Sequence, residues 1–307
     1  MENDRHHTGI IVVKAGTDVL VKKDGSLDTD AINARVAEIV DLTRQGYRVL
    51  FVVSGAAAKG RKACKTERRK GEPLVETMVY CSIGMPRLMR AIEDALILAD
   101  KKDAADMKKE NERDWVPSQL LLTHEDVSSC IPSSNIFVRA LKGMRKIFSR
   151  KELPTVRDSL QKMWEMGKIL PVVNANDPVN SEELTNSDND KLAGSIAELM
   201  DAEKFIILTS VPGLLANAND KTSVISYIDP RKDDYSHCIR KKTGEGNGTG
   251  GMESKYPIAV ERALGGTDVL MGEGKAVDAI QRLIRREIGT LFSTKDHNSG
   301  DHFPHEA

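Results

Sequence analysis

Rings are scarce in this chain: aromatic residues make up 4% of 307 positions, although 40% are hydrophobic. A core this poor in aromatics must be built from Val, Ile, Leu and Ala, which suits buried parallel strands. Net charge is equally scarce. The balance of 45 basic and 46 acidic residues gives -1, with both signs mixed along the chain. That excludes a field strong enough to gather nucleic acid or anionic lipid and favours a diffusing metabolite as partner. No apolar run approaches the roughly 20 residues of a membrane span, and the N-terminal MENDRHHTG has no apolar signal-peptide core. The expected location is therefore the cytoplasm. The four cysteines Cys64, Cys81, Cys130 and Cys238 show no CxxC spacing and read as reduced thiols. His6, His7, His302 and His305 sit near the ends, where flexible termini account for them better than a metal site does.

What the chain does have is a repeated unit of short apolar run, small polar turn and helical pattern. GIIVVKAG, YRVLFVVSG, QLLLT, KILPVVNAND, KFIILTS and TDVLMGEG read as buried strands. Between them, DTDAINARVAEIVDLTRQG places Ile32, Val36, Ile39 and Val40 at helical spacing, with Asp28, Thr29 or Asp30 as N-cap and Gly46 as stop. PTVRDSLQKMWEMG and NDKLAGSIAELMDA also read as helices. Strands alternating with helices predict an α/β fold, a doubly wound and mostly parallel sheet sandwiched by helices. At this length one large α/β unit is allowed. We expect a flexible arm over 1–9, a single domain over 10–293 and a loose tail over 294–307. KACKTERRKGE and DKKDAADMKKENERDW, dense in charge, read as solvated surface.

In such sheets ligands bind beyond the carboxyl ends of the strands, and four polar clusters lie there. Lys14, Ala15, Gly16 and Thr17 follow the first strand; a lysine there can point at phosphate while glycine lets backbone N–H groups come close. Ser54, Gly55 and Ala56 follow the second and open a helix whose N-terminus would attract an anion, although close helix packing explains the small residues equally well. Asn174, Asn176 and Asp177, then Asn186, Asp188, Asn189 and Asp190, are either Asx-rich turns or a polar pocket able to hold the ammonium of an amino acid and orient lysines. The fourth cluster, GEGNGTGGMESK, matches GxGxxG at Gly246, Gly248 and Gly251. It follows a polar run instead of a strand, so it is not a dinucleotide loop. It reads as a phosphate cradle running into the helix SKYPIAVERAL, with Lys255 at its start and Pro257 in its first turn.

In this order the clusters resemble the amino acid kinase superfamily, and within it the glutamate 5-kinases. The pieces are VVKAGTDVL, VVSGAAAKG, SIGMPRLM, QLLLT, VVNANDPV, SDNDKLAGSIA, LTSVPGLL, GTGGMESK and GTLF, spanning Ile10 to Phe292. The resemblance implies transfer of phosphate from ATP, with Mg2+ held mainly by the nucleotide, to the side-chain carboxylate of glutamate, the first step of proline biosynthesis. It implies Lys14, Gly16, Asp190 and Lys255 as catalytic, and Ser54, Gly55, Asp177 and Asn189 as substrate-binding. Lys14, Thr209, Ser210, Thr249, Gly250, Gly251, Met252 and Lys255 would bind ATP. It also implies feedback inhibition by proline, a homodimer or homotetramer, and hand-over to glutamyl phosphate reductase. Aspartate or N-acetylglutamate as acceptor, or a non-catalytic amino acid sensor, are the alternatives. The chain departs from the family pattern at Ser210, where Asp is usual, and many members carry a C-terminal PUA domain that this sequence stops before.

Overall fold

A computed structural model describes residues 9–69, 71–101, 114–128, 130, 155–177, 188–239 and 251–295. Eight strands form one sheet: β1 (Ile10–Ala15), β2 (Arg48–Val53), β3 (Val116–Leu122), β4 (Ile169–Ala175), β5 (Lys204–Thr209), β6 (Tyr227–Ile228), β7 (Asp268–Glu273) and β8 (Thr290–Phe292). Their spatial order is β3-β4-β2-β1-β5-β7-β8-β6. Every pairing is parallel except β7 with β8. The six expected strands are all present. The two additional ones, β6 and β8, have two and three residues, too few to leave a periodic signal.

The helices are α1 (Thr17–Leu20), α2 (Thr29–Arg44), α3 (Ala56–Cys64), α4 (Leu74–Lys101), α5 (His124–Ser128), α6 (Val156–Met166), α7 (Asp188–Leu199), α8 (Met252–Leu264) and α9 (Ala279–Ile284). Side chains alternate along each strand, so the strands feed two cores. Ile11, Val13, Phe51, Ile206 and Leu208 face one, with Val36 and Ile39 of α2 and Leu88 and Ile92 of α4. Val12, Leu50, Val52, Phe205 and Ile207 face the other, with Leu160 of α6, Leu192 and Ile196 of α7 and Ala259 of α8. Helices therefore cover both faces, as a sheet with apolar residues on both sides requires.

Local chemistry sets the boundaries. Asp28 caps α2, its side chain accepting from the Ala31 N–H, and Gly46 follows the helix at φ 98°. Thr155 and Asp158 form a reciprocal capping box on α6, and Gly167 ends it at φ 71°. Pro257 differs from expectation. Because α8 begins at Met252, two residues before the expected start, Pro257 lies inside the helix beyond its first turn and withholds one backbone hydrogen bond there.

The charged stretches are solvated only in part. Lys62 through Arg69 are exposed, but Glu72 is nearly buried against the Arg61 guanidinium, and Asp100 and Trp115 are buried at the ends of the second stretch. Residues 102–113 lie outside the described residues, as do the arm and tail except Gly9, Thr294 and Lys295.

Candidate active site

Three elements converge where β1 ends. Lys14 is the penultimate residue of β1, and Asp190 and Lys255 lie in the first turns of α7 and α8. Those two helices can approach because Gly194 has no side chain; a Cβ there would lie 2.7 Å from Ile258 Cγ2. Lys14 Nζ is 2.5 Å from Asp190 Oδ1. Lys255 Nζ is 3.0 Å from Asp190 Oδ2, and Ser254 Oγ donates to the same oxygen from 2.9 Å. Lys14, Asp190 and Lys255 are 4%, 2% and 7% exposed.

Two buried cations around one buried anion leave an excess positive charge. Burial raises the pKa of Asp190, but attraction from Lys14 and Lys255 outweighs it and holds the carboxyl at about 2. Burial pulls the pKa of Lys14 below the ordinary lysine value, Asp190 opposes this, and repulsion from Lys255 adds to the fall. The cluster thus gains most from a further anion beside it, since buried charge is costly unless compensated.

Gly16 stands beside this cluster. Its N–H donates to the Leu208 carbonyl at 3.3 Å, and a Cβ built on it would come within 3.7 Å of Lys14 Nζ. Its lack of a side chain keeps the space before the ammonium open. At the end of β5, Thr209 is buried and its hydroxyl bonds the Val211 carbonyl at 2.8 Å and the Val211 N–H at 3.0 Å, shaping the turn. Ser210 is exposed. Gly251 is the extended N-cap residue of α8, and Met252 is its first helical residue. Thr249 and Gly250 lie outside the described residues.

A second group lies beyond β2 and β4. Ser54 and Asp177 are buried. Gly55 caps α3 at φ 112°, and a Cβ there would meet Val21 Cγ2 at 2.7 Å, so only glycine fits. Asn174 Nδ2 donates to the Val53 carbonyl at 2.6 Å and ties the ends of β4 and β2 together. Asn189 Oδ1 accepts the Ala175 N–H at 2.9 Å, fixing the start of α7 to β4. Asn186 lies outside the described residues.

Sequence reading did not give the bond from Ser254 to Asp190. Adjacency to Lys255 is a weak signal for the serine. Among the described residues no helix is long and apolar enough to cross a membrane, and no group of three or more His, Cys, Asp or Glu side chains could hold a metal.

Two buried lysines held on one aspartate beside the carboxyl end of β1 in a doubly wound sheet present donors suited to phosphate, and the family match below makes the class that of a kinase with the α/β fold. The profile of the amino acid kinase family matches residues 9–271, and the chain belongs to that family. It is 31% identical over 283 residues to the glutamate 5-kinase of Kosmotoga olearia, covering 92% of this chain and 68% of that one. It is 28% identical over 296 residues to the glutamate 5-kinase of Geobacter sp. strain M21, covering 92% and 67%. The chain therefore spans about two thirds of the length of these relatives. The carbamate kinase of Giardia shares the fold, with a TM-score of 0.55 at 16% identity over 94% of this chain and 99% of that one.

Proposed function

We propose that this chain is a glutamate 5-kinase, transferring the γ-phosphoryl group of ATP to the side-chain carboxylate of L-glutamate to give glutamyl 5-phosphate and ADP, the first step of proline biosynthesis. The observation that carries the chemistry is the buried cluster of Lys14, Asp190 and Lys255 with its excess positive charge. The acceptor is supported by the glutamate 5-kinases to which the chain is similar along most of its length.

A glutamate carboxylate, with a pKa of about 4.3, is already ionised at neutral pH and needs no general base. Its oxygen attacks the γ-phosphorus while the bond to the β,γ-bridging oxygen breaks and ADP departs. Catalysis then rests on alignment and on stabilising charge spread over the transferring group. In this reading Lys14 and Lys255 flank that group, Asp190 holds both ammonium groups in place, and Gly16 leaves room for it. Ser54, Gly55, Asp177 and Asn189 bind glutamate. Thr209, Ser210 and the segment from Thr249 to Lys255 line the nucleotide site. The lysine donors fit phosphate oxygens, and Mg2+ held by the nucleotide would supply further neutralisation of the phosphate charge. Cytoplasmic location, a dimer or tetramer, inhibition by proline and hand-over to glutamyl phosphate reductase belong to the same reading, as does one domain over 10–293.

The test is ADP release from Mg-ATP with glutamate, aspartate and N-acetylglutamate, with hydroxylamine added to trap an acyl phosphate. Turnover with hydroxamate formation on glutamate alone is expected. Preference for another acceptor would replace the substrate, and tight glutamate binding without ADP formation would make the chain a sensor.

A further inference from the structure

Ser254 takes no part in the chemistry above, yet its hydroxyl reaches the same two oxygens as the Lys255 ammonium. It is the third residue of α8 and is partly buried. Its Oγ lies 2.9 Å from Asp190 Oδ2 and 2.9 Å from the Gly251 carbonyl oxygen. Lys255 Nζ lies 3.0 Å from that Oδ2 and 3.3 Å from that carbonyl. The Gly251 carbonyl also accepts the Ser254 N–H at 3.3 Å, so the backbone of the helix start holds the serine in place. Asp190 meets it from α7, 64 positions earlier in the chain.

A serine hydroxyl has one proton to give, whereas an ionised carboxylate and a carbonyl only accept. Hydrogen bonds to an ionised acceptor are roughly twice as strong as neutral ones, so the proton goes to Asp190 Oδ2. That oxygen then takes a donor from Ser254 and another from Lys255, while Oδ1 faces Lys14. The two donors on Oδ2 respond differently to a substrate. Charge developing on the transferring group draws an ammonium strongly and a neutral hydroxyl much less. Asp190 is only 2% exposed, and a buried carboxylate oxygen stripped of its donors is costly. With Ser254 in place, Lys255 can turn an N–H towards phosphate while Oδ2 keeps a donor throughout.

We propose that Ser254 is a positioning residue for phosphoryl transfer, whose hydroxyl keeps Asp190 Oδ2 hydrogen-bonded as the Lys255 ammonium moves onto the transferring group. This rests on the reading of Lys255 as a residue that stabilises charge on that group. Without the hydroxyl, Lys255 leaves the carboxylate less readily, and the loss falls on the transition state more than on either ground-state complex.

Single-turnover and steady-state kinetics of Ser254→Ala, Ser254→Thr, Ser254→Val, Lys255→Ala and the double variant Ser254→Ala with Lys255→Ala test this, each with a thermal midpoint. Ser254→Ala should lower kcat about tenfold, the size of one hydrogen bond to a charged group, with the glutamate and ATP KM within about twofold. Ser254→Thr, which keeps the hydroxyl, should recover most of that loss, and Ser254→Val, of nearly the same shape, should not. On the Lys255→Ala background, Ser254→Ala should add less than about twofold, because the serine acts through the lysine. An unchanged kcat in Ser254→Ala, equal kcat in the Thr and Val variants, or a full further tenfold loss in the double variant would overturn the role of the hydroxyl. A lowered thermal midpoint with normal kcat would make the serine part of the helix start alone, which also overturns it. An unchanged kcat in Lys255→Ala would instead overturn the reading of the lysine on which the proposal rests. If Ser254→Ala does not fold, the Thr and Val pair decides between the same outcomes.

Discussion

Lys255 Nζ meets Asp190 Oδ2 at 3.0 Å across 65 positions of sequence, while the other oxygen of the same carboxylate holds Lys14. One aspartate thus sets the separation and direction of two ammonium groups that come from different elements. Neither lysine can be moved without disturbing a buried charge.

Lys255→Ala should lower kcat by about two to three orders of magnitude, the size of losing one preorganised group that stabilises transition-state charge, and leave the glutamate KM within about threefold. Lys255→Arg should not restore it, since a planar guanidinium does not fit a site shaped for a compact ammonium. Single-turnover measurement of ADP formation checks both. An unchanged kcat in Lys255→Ala removes this residue from the transition state.

Asp190 and Lys14 act on stability at opposite ends of the pH scale. The carboxyl of Asp190 is held at about 2, against about 3.9 when unfolded. The unfolded state binds more protons between these values, so the contribution is complete above about pH 4 and is lost as pH falls towards 2. Lys14 is depressed below the ordinary lysine value. There too the unfolded state binds more protons, so this group's contribution rises with pH up to the unfolded pKa of about 10.4. Activity should fall over that same alkaline range, because the ammonium is lost. Urea midpoints and kcat followed across pH test the signs, and Asp190→Asn should erase the acid-side term while lowering the midpoint at pH 7.

Gly84→Ala should destabilise the fold by about 3 kcal/mol or more, the upper range for overpacking, because its Cβ would fall 1.8 Å from the Ala56 carbonyl. Gly71 offers the contrast. Its φ is 74° and nothing lies within 4 Å of the position a Cβ would take, so Gly71→Ala should cost only about 1 kcal/mol of left-handed strain. Denaturant midpoints of the two variants decide whether close helix contact or backbone conformation is the larger effect.

Much of the architecture was legible because the strands of a doubly covered sheet are continuous apolar runs. Six such runs became β1, β2, β3, β4, β5 and β7, and polar clusters follow most of their carboxyl ends. The long helix α4 was not, since Pro86 lies inside it and interrupts the helical pattern where packing on α2 and α3 carries the backbone through. Strands β6 and β8 were too short to read.

What the sequence by itself determined was the six longer strands, the helices α2, α3, α6, α7 and α8, the mostly parallel class of the sheet and the chemical types gathered at its edge, because burial on both faces and the geometry of turns act over a few residues at a time. The strand order, the antiparallel turn of β7 onto β8, and the meeting of Lys14, Asp190, Ser254 and Lys255 were decided by the tertiary structure alone. These contacts join residues far apart in the chain, and their energies depend on packing and desolvation that arise only when the helices close over the sheet.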